Sequence, residues 1–280
     1  MNTRELIRAG ASELEKAGVP DPAYDSALLL SHVMKRPQLE LRAGTDPEPT
    51  PAQELAYRQL LNRRLGREPL QYILGSVLFC GMELRVRPGV LIPRPETELL
   101  AEWAEELLKD SGAPEILDLC CGSGCLGLTL KRMIPEAAVT LSDLSPDAAA
   151  LAEENRQRLG LEAEILRGDL LEPSKGRTYD LILCNPPYIA SGECDSLQPE
   201  VMLEPRMALD GGQDGLDFYR RIAAEVPGYL KPAGRLMLEV GDGEAPGVIR
   251  ILRDRGAVRT AVREDYSGTE RMVLAEYVRA

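Results

Sequence analysis

Residues 115–127 read EILDLCCGSGCLG: an apolar stretch, EILDL at 115–119, runs into the turn Cys120-Cys121-Gly122-Ser123-Gly124 and on into CLGLTLKRMI at 125–134. A short apolar run that ends in glycines and is followed by ten residues of helical character reads as strand, turn and helix. The same unit recurs downstream. AVTLS (138–142) precedes the helical PDAAALAEENRQRLG (146–160), AEILRGD (163–169) leads to YDLILC (179–184), and GRLMLEV (234–240) leads through another helix to AVRTAVRED (257–265) and RMVLAEYV (271–278). Strands separated by single helices predict a right-handed, mainly parallel α/β sheet, with the last two strands suited to a hairpin. Upstream, ETELLAEWAEELLKD (96–110) predicts the helix that opens this region.

Residues 1–75 have a different texture: short helical stretches divided by proline and glycine, without the alternation a sheet needs. Asp21-Pro22 and Thr50-Pro51 each place a capping residue before a proline suited to the first helical position, and Gln53 completes a capping box after Thr50. Between the two regions, SVLFCGMELRVRPGVLI (76–92) alternates and carries Gly81 and Gly89, as a hairpin would.

Composition narrows the chemistry. With 44% apolar and 28% charged residues in 280, the chain reads as globular, with room for one large or two modest domains. It contains no apolar run of about 18 residues for a bilayer, and MNTRELIRAGASELEKAG lacks the apolar stretch of a signal peptide, so a cytoplasmic protein without membrane contact is expected. The six cysteines show neither a disulfide framework nor zinc spacing and are read as reduced thiols. The one histidine, His32, sits in SALLLSHVMKR and reads as structural, so neither an imidazole-based hydrolase nor a histidine metal site has material to work with. Residues 1–80 balance 10 basic against 10 acidic side chains, so the net −12 falls on residues 81–280; that sign argues against a nucleic-acid phosphate track.

Three strand ends collect candidate binding residues. The GSGCLG segment at 122–127 fits GxGxxG, a pattern open to dinucleotides and other adenosine ligands alike. Asp143 closes the second strand, nineteen positions after Gly124, where a carboxylate can accept from ribose hydroxyls. Gly168-Asp169-Leu170 closes the third, where a side chain can meet a base. Each aspartate alone suits a helix cap or a turn equally well, but the joint placement at the carboxyl ends of successive strands favours one ligand crevice.

After the strand YDLILC comes Asn185-Pro186-Pro187-Tyr188. A residue before proline is held extended and proline has no N–H, so the loop presents carbonyl oxygens and the Asn185 amide oxygen with few competing donors. Such a surface suits a planar NH2 group, with Tyr188 available to stack on its flat face. The nitrogen of an amide or exocyclic amine is a poor nucleophile because its lone pair is delocalised; two acceptors on its hydrogens return electron density and aim it. An electrophile such as the sulfonium methyl of S-adenosyl-L-methionine would complete a methyl transfer without any histidine base.

REPLQYILG (67–75), VLIPRPETE (90–98), DLCCGSG (118–124), NPPYI (185–189), EPRMALDGGQDGLDFYR (204–220) and Arg271 follow one another in an order that resembles the peptide chain release factor glutamine methyltransferases, the HemK/PrmC family, over most of the chain. The resemblance implies a Rossmann-like class I S-adenosylmethionine-dependent methyltransferase domain over 96–280, preceded by a helical, substrate-docking domain over 1–75 and a β-hairpin linker over 76–95. It implies methylation of the side-chain amide of the glutamine in the Gly-Gly-Gln motif of release factors, modulating translation termination, with the release factor as protein partner. It assigns the cofactor to Cys120, Cys121, Gly122, Ser123, Gly124, Asp143, Asp169, Leu170 and Asn185. The glutamine amide falls to Asn185, Pro186, Pro187 and Tyr188, with Asn185, Pro186 and Tyr188 as the catalytic set and no metal. Arg94 and Glu96 are placed near the site or, equally well, as braces of the linker. Cys120-Cys121 stands where the family commonly has Gly-Thr, and Leu170 where an aromatic can cover adenine. Gly211-Gly212-Gln213 repeats the substrate's own tripeptide but lies in the family's GGxDGL loop. The alternative kept beside this reading is a DNA or RNA adenine-type amino methyltransferase with the same Asn-Pro-Pro-Tyr loop. A nicotinamide oxidoreductase would leave that loop without a role, and a non-enzymatic binding module would tolerate its loss.

Overall fold

Thr50 accepts from Gln53 N while the Gln53 side chain returns to Thr50 N, so the capping box forms and Pro51 opens the helix as its sequence requires. At the other proline cap, Asp21 occupies the N-cap position but makes no side-chain capping bond; instead the helix it precedes is anchored by Asp25, paired with Arg64. In this computed structural model, which describes residues 1–43 and 48–277, the N-terminal helices are α1 (Thr3–Lys16), α2 (Pro22–Met34), α3 (Gln38–Ala43), α4 (Pro51–Leu65) and α5 (Leu70–Leu74). Positions 44–47 of the expected 1–75 domain, and Val278 to Ala280 at the end of the expected 96–280 domain, lie outside the described residues.

Two compact units result. One comprises residues 1–76 together with Gln198–Leu203, the other residues 77–197 and 204–280. The first is built on Leu14, Leu29, Leu30, Leu41 and Leu61, all essentially inaccessible. Its second device is ionic: Arg64 donates to Asp25 Oδ2 (2.7 Å) and to Glu200 Oε1 (2.8 Å), while Arg67 donates to Glu200 Oε2 (2.6 Å). Buried charges persist only when paired in this way. Burial on its own would raise the Glu200 carboxyl, but the two guanidiniums hold it down at about 2.

The second unit begins with a two-stranded sheet, β1 (Ser76–Phe79; its first residue belongs to the first unit) with β2 (Met82–Arg85). Then come α6 (Pro95–Leu108), β3 (Glu115–Leu119), α7 (Cys125–Met133), β4 (Ala138–Asp143), α8 (Pro146–Leu159), β5 (Glu164–Arg167), β6 (Tyr179–Cys184), α9 (Asp217–Glu225), β7 (Leu230–Glu239), α10 (Ala245–Asp254), β8 (Ala257–Glu264) and β9 (Glu270–Tyr277). The sheet runs β5-β4-β3-β6-β7-β9-β8. β3 lies parallel to both β4 and β6, β6 to β7, and β9 is antiparallel to β7 and β8. The α/β sheet with a terminal hairpin is thus the one the repeating strand–helix pattern predicted.

Alternate strand residues face opposite layers. Ile116, Leu181, Leu183 and Met237 pack with Leu100 and Trp103 of α6 and Leu126 and Leu128 of α7; Leu117, Leu119, Ile182 and Leu236 pack with Tyr219 and Ile222 of α9 and Val248 and Leu252 of α10. Coverage on both faces explains why the central strands are continuously apolar. No described helix is long and apolar enough to cross a membrane. The chain visits β3, β4 and β5 on one side and then returns to β6 on the other. This places a topological switch point between β3 and β6, and loops at the carboxyl ends of strands flank it.

Candidate active site

Those loops line one cavity, to which β3 contributes Cys120 to Ser123, β4 Ser142 to Ser145, β5 Gly168 to Leu170 and β6 Asn185 and Pro187. The three strand-end groups expected to converge do so. The path of the first loop is fixed by close packing. Gly124 has φ +81°, and a Cβ there would stand 3.0 Å from Leu128 Cδ1 and from Leu141 Cδ2. Only glycine takes that turn at no cost. Cys120, in place of the family's glycine, itself adopts φ +56°, so the loop follows a left-handed path there with a side chain attached, at a cost of about 1–2 kcal/mol.

Asp143 braces this loop before any ligand arrives. Its Oδ2 accepts from Gly122 N (2.9 Å) and its Oδ1 from Ser145 N (2.8 Å). Burial pushes its carboxyl upward against these bonds. Asp118, on the neighbouring strand β3, accepts from Gly127 N (2.8 Å) through Oδ2, while its Oδ1 is buried without a partner, and burial pushes the carboxyl to about 7. Ser142 Oγ, also in the cavity wall, is likewise unpaired. Unsatisfied buried groups of this kind are uncommon and point toward a polar ligand. The N-terminus of α7, with Gly124 as its cap residue, adds a partial positive charge that favours a carboxylate.

On the opposite flank, Leu170 is buried with φ +45°. Asp169 pairs with Arg221 (2.6 Å), and Arg221 lies 5.8 Å from the centroid of Phe218. Both α9 residues line the cavity, and neither carries a sequence signal, because helix α9 is far from the strand ends in the chain. Apolar cover for a base therefore comes from Phe218 and Leu170 together. The carboxylate of a methionine moiety, a ribose diol and an adenine each find matching groups: the α7 N-terminus for the carboxylate, Asp143 for the diol, and the Leu170–Phe218 wall with Asp169 for the base. The residues present fit S-adenosyl-L-methionine.

The Asn-Pro-Pro-Tyr loop divides. Asn185 and Pro187 reach the cavity, Pro186 is buried, and Tyr188 lies against the Gly211, Gly215 and Gly241 backbone rather than in the cavity wall. Burial pushes the Tyr188 hydroxyl to about 12. Gly211 is the close-approach point: a Cβ there would stand 2.6 Å from Gly215 O and 2.7 Å from Tyr188 Cα. Its N–H donates to Ile189 O (2.8 Å). The Gly-Gly-Gln coincidence at 211–213 thus has a packing reason in its first residue.

Asn185 is held from behind. Its Nδ2 donates to Thr97 Oγ1 (3.3 Å), and the Thr97 hydroxyl donates to Glu239 Oε2 (2.6 Å). Thr97 is the third residue of α6 and Glu239 the last of β7; sequence reading marks neither, since partners so distant in the chain leave no spacing. Arg94 lines the cavity and forms an ion pair with Glu204, whose second oxygen accepts from Ile92 N (2.9 Å). Glu96 is exposed and is not part of the cavity wall.

A glycine loop after the first strand, an acid after the second and an acceptor loop after the fourth of a mainly parallel sheet define a class I S-adenosylmethionine-dependent methyltransferase. Residues 96–213 match the Methyltransferase small domain and residues 5–75 the PrmC N-terminal domain. The release factor glutamine methyltransferase of Geobacter sulfurreducens is 41% identical over 96% of this chain and 95% of its own length. That of Bordetella pertussis is 43% identical over 90% and 93%. A T. thermophilus 16S rRNA methyltransferase solved with AdoMet and guanosine shares the fold at 22% identity, with a TM-score of 0.53 over 72% of this chain and 49% of that one. The chain belongs to the release factor glutamine methyltransferase family.

Proposed function

We propose that this protein transfers a methyl group from S-adenosyl-L-methionine to the side-chain amide nitrogen of the glutamine in the Gly-Gly-Gln motif of peptide chain release factors, modulating translation termination. The observation that carries the reading is the Asn185 amide: its nitrogen is committed to Thr97, so its oxygen is the end available to a donor at the cavity. A primary amide offers two hydrogens. Asn185 Oδ1 accepts one and the carbonyl of Pro186 the other, which returns electron density to the nitrogen and fixes the direction of its lone pair. Pro187 bounds the slot, and Tyr188 backs the loop, so that Asn185 through Tyr188 act together as the amide clamp. When bound, S-adenosyl-L-methionine supplies a sulfonium methyl as the electrophile. Cys120, Cys121, Gly122, Ser123 and Gly124 hold its methionine end, Asp143 its ribose hydroxyls, and Asp169, Leu170 and Phe218 its adenine, with Asn185 bordering both ligands. Positioning of this sort contributes up to about 7–11 kcal/mol to a barrier. The alkylated nitrogen is acidic, so no side-chain base is required. Residues 1–75 act as the docking domain for the release factor, 76–95 as the linker and 96–280 as the catalytic domain.

The test is label transfer from methyl-labelled S-adenosyl-L-methionine, offered side by side to a purified release factor, to the same factor with its motif glutamine changed to alanine, and to adenine-containing DNA and RNA. Label on the unmodified factor alone is expected. Label on nucleic acid would overturn the assignment in favour of the adenine-type reading.

A further inference from the structure

An acceptor loop works only if the Asn185 amide keeps its oxygen toward the incoming NH2, and an asparagine side chain turned over presents a donor of almost the same shape. Something must choose. Three elements meet behind it: Asn185 after β6, Thr97 in the first turn of α6 and Glu239 at the end of β7. Thr97 and Glu239 are almost wholly buried, so water does not compete for their bonds.

We infer that Thr97 and Glu239 are positioning residues for the transfer, forming a proton-ordered relay that fixes which end of the Asn185 amide faces the substrate. This deepens the glutamine-methylation reading above and rests on it. The logic is a count of hydrogens. Ionised Glu239 has none and accepts only, so the single hydroxyl hydrogen of Thr97 points to Oε2, 2.6 Å away. Thr97 Oγ1 then has only lone pairs left for Asn185, and the amide must turn its NH2 inward, as observed. Protonated Glu239 reverses the chain: its O–H donates to Thr97, the Thr97 hydrogen becomes free for Asn185 Oδ1, and the amide turns its NH2 toward the substrate's own NH2. Two donors then face one another and the clamp fails.

The surroundings place this change within the working range of pH. Burial raises the Glu239 carboxyl to about 7, against the Thr97 bond, the positive charge of Arg271 on β9 and the Asn185 amide NH2, which also faces the carboxylate; these three favour ionisation, while Glu96 on α6 disfavours it. Tyr188 in the loop, Tyr219 on α9 and Cys125 on α7 also face the carboxylate, all three held neutral by burial.

The experiment is single-turnover methylation of the release factor at saturating cofactor, from about pH 5.5 to 9, for the wild type, Thr97→Val, Thr97→Ser and Glu239→Gln. The wild-type rate is expected to rise about tenfold through neutrality. In Glu239→Gln, the amide oxygen still accepts from Thr97 but does not titrate, so the rise near pH 7 disappears. Saturating cofactor and the retained Asp118 carboxyl separate this from the other buried acid near neutrality. Thr97→Val should lower the turnover rate about thirtyfold with the cofactor Kd held within about threefold, and Thr97→Ser should restore most of it. A Thr97→Val enzyme as fast as wild type, or a Glu239→Gln profile that keeps its inflection, overturns the relay. If Thr97→Val does not fold, the Glu239→Gln profile decides alone. Wild type that leaves the release factor unlabelled at every pH would instead overturn the functional reading itself.

Discussion

Replacing Asp143 by alanine removes a carboxylate that braces the glycine loop and that we assign to the ribose of the cofactor. In the structure it accepts from Gly122 N at 2.9 Å and from Ser145 N at 2.8 Å, and these bonds hold two of the segments that line the cavity. Hydrogen bonds to a charged group are worth about 1.5–3 kcal/mol each, and each carboxylate oxygen has a further lone pair for a ribose hydroxyl. Losing two ribose bonds gives about 3–6 kcal/mol gross; water admitted into the space returns part of it, leaving about 2–4 kcal/mol, or roughly 30- to 1,000-fold in Kd. Titration calorimetry with S-adenosyl-L-methionine measures this directly, with thermal melting of the free protein to show that it remains folded. Asp143→Asn should lose nearly as much, because its NH2 must face one of the two backbone donors. Cofactor affinity within threefold of wild type in a folded Asp143→Ala protein would refute the assignment of the ribose to this residue.

Gly124→Ala is expected to destabilise the protein by about 1–3 kcal/mol, seen as a lower denaturation midpoint, because a left-handed φ and two contacts at 3.0 Å act together. Glu200→Gln should cost about 3 kcal/mol in chemical denaturation at pH 7; because the folded carboxyl sits near 2, below its ordinary value, that contribution is complete above about pH 4.5 and disappears as pH falls through 2. Asp118 has the opposite sign: its carboxyl is raised to about 7, so the folded state retains a proton that the unfolded state has released, and stability declines between about pH 4 and 7. Asp118→Asn should therefore gain on wild type across that window, by up to about 4 kcal/mol at pH 8, in urea titrations run at pH 5 and 8.

The strands from β3 to β7 were legible because both faces of the sheet are covered, which makes each strand an unbroken apolar run between glycine and proline turns, whereas their order across the sheet came only from the structure. The cavity was legible to the same extent, since Gly122, Asp143, Asp169 and Asn185 all sit at strand ends that the pattern had already located. Groups that reach the site from elsewhere were not. Phe218 and Arg221 come from the face of a helix whose sequence looks like ordinary surface, and Thr97 and Glu239 meet across 142 positions. The same distance hid the partnership of Gln198–Leu203 with the N-terminal unit: nothing around Glu200 signals that its partners are Arg64 and Arg67. Tyr188 shows the limit of arguing from residue type, since an aromatic next to an acceptor loop suggests stacking, whereas the glycines at 211, 215 and 241 leave space that its ring and backbone fill. Asp21 likewise has the right identity for a cap and no bond to make, its helix being held by the buried Asp25–Arg64 pair.

The most direct test of the acceptor clamp is the methyl-transfer rate of Asn185→Ala on a release factor in a single turnover, with the product mapped by fragment mass to the modified atom. Wild-type product is expected on the side-chain nitrogen of the motif glutamine, with a loss of at least about a hundredfold in rate for the variant while S-adenosyl-L-methionine binds within about tenfold. A variant that methylates the same nitrogen at the wild-type rate would contradict the clamp.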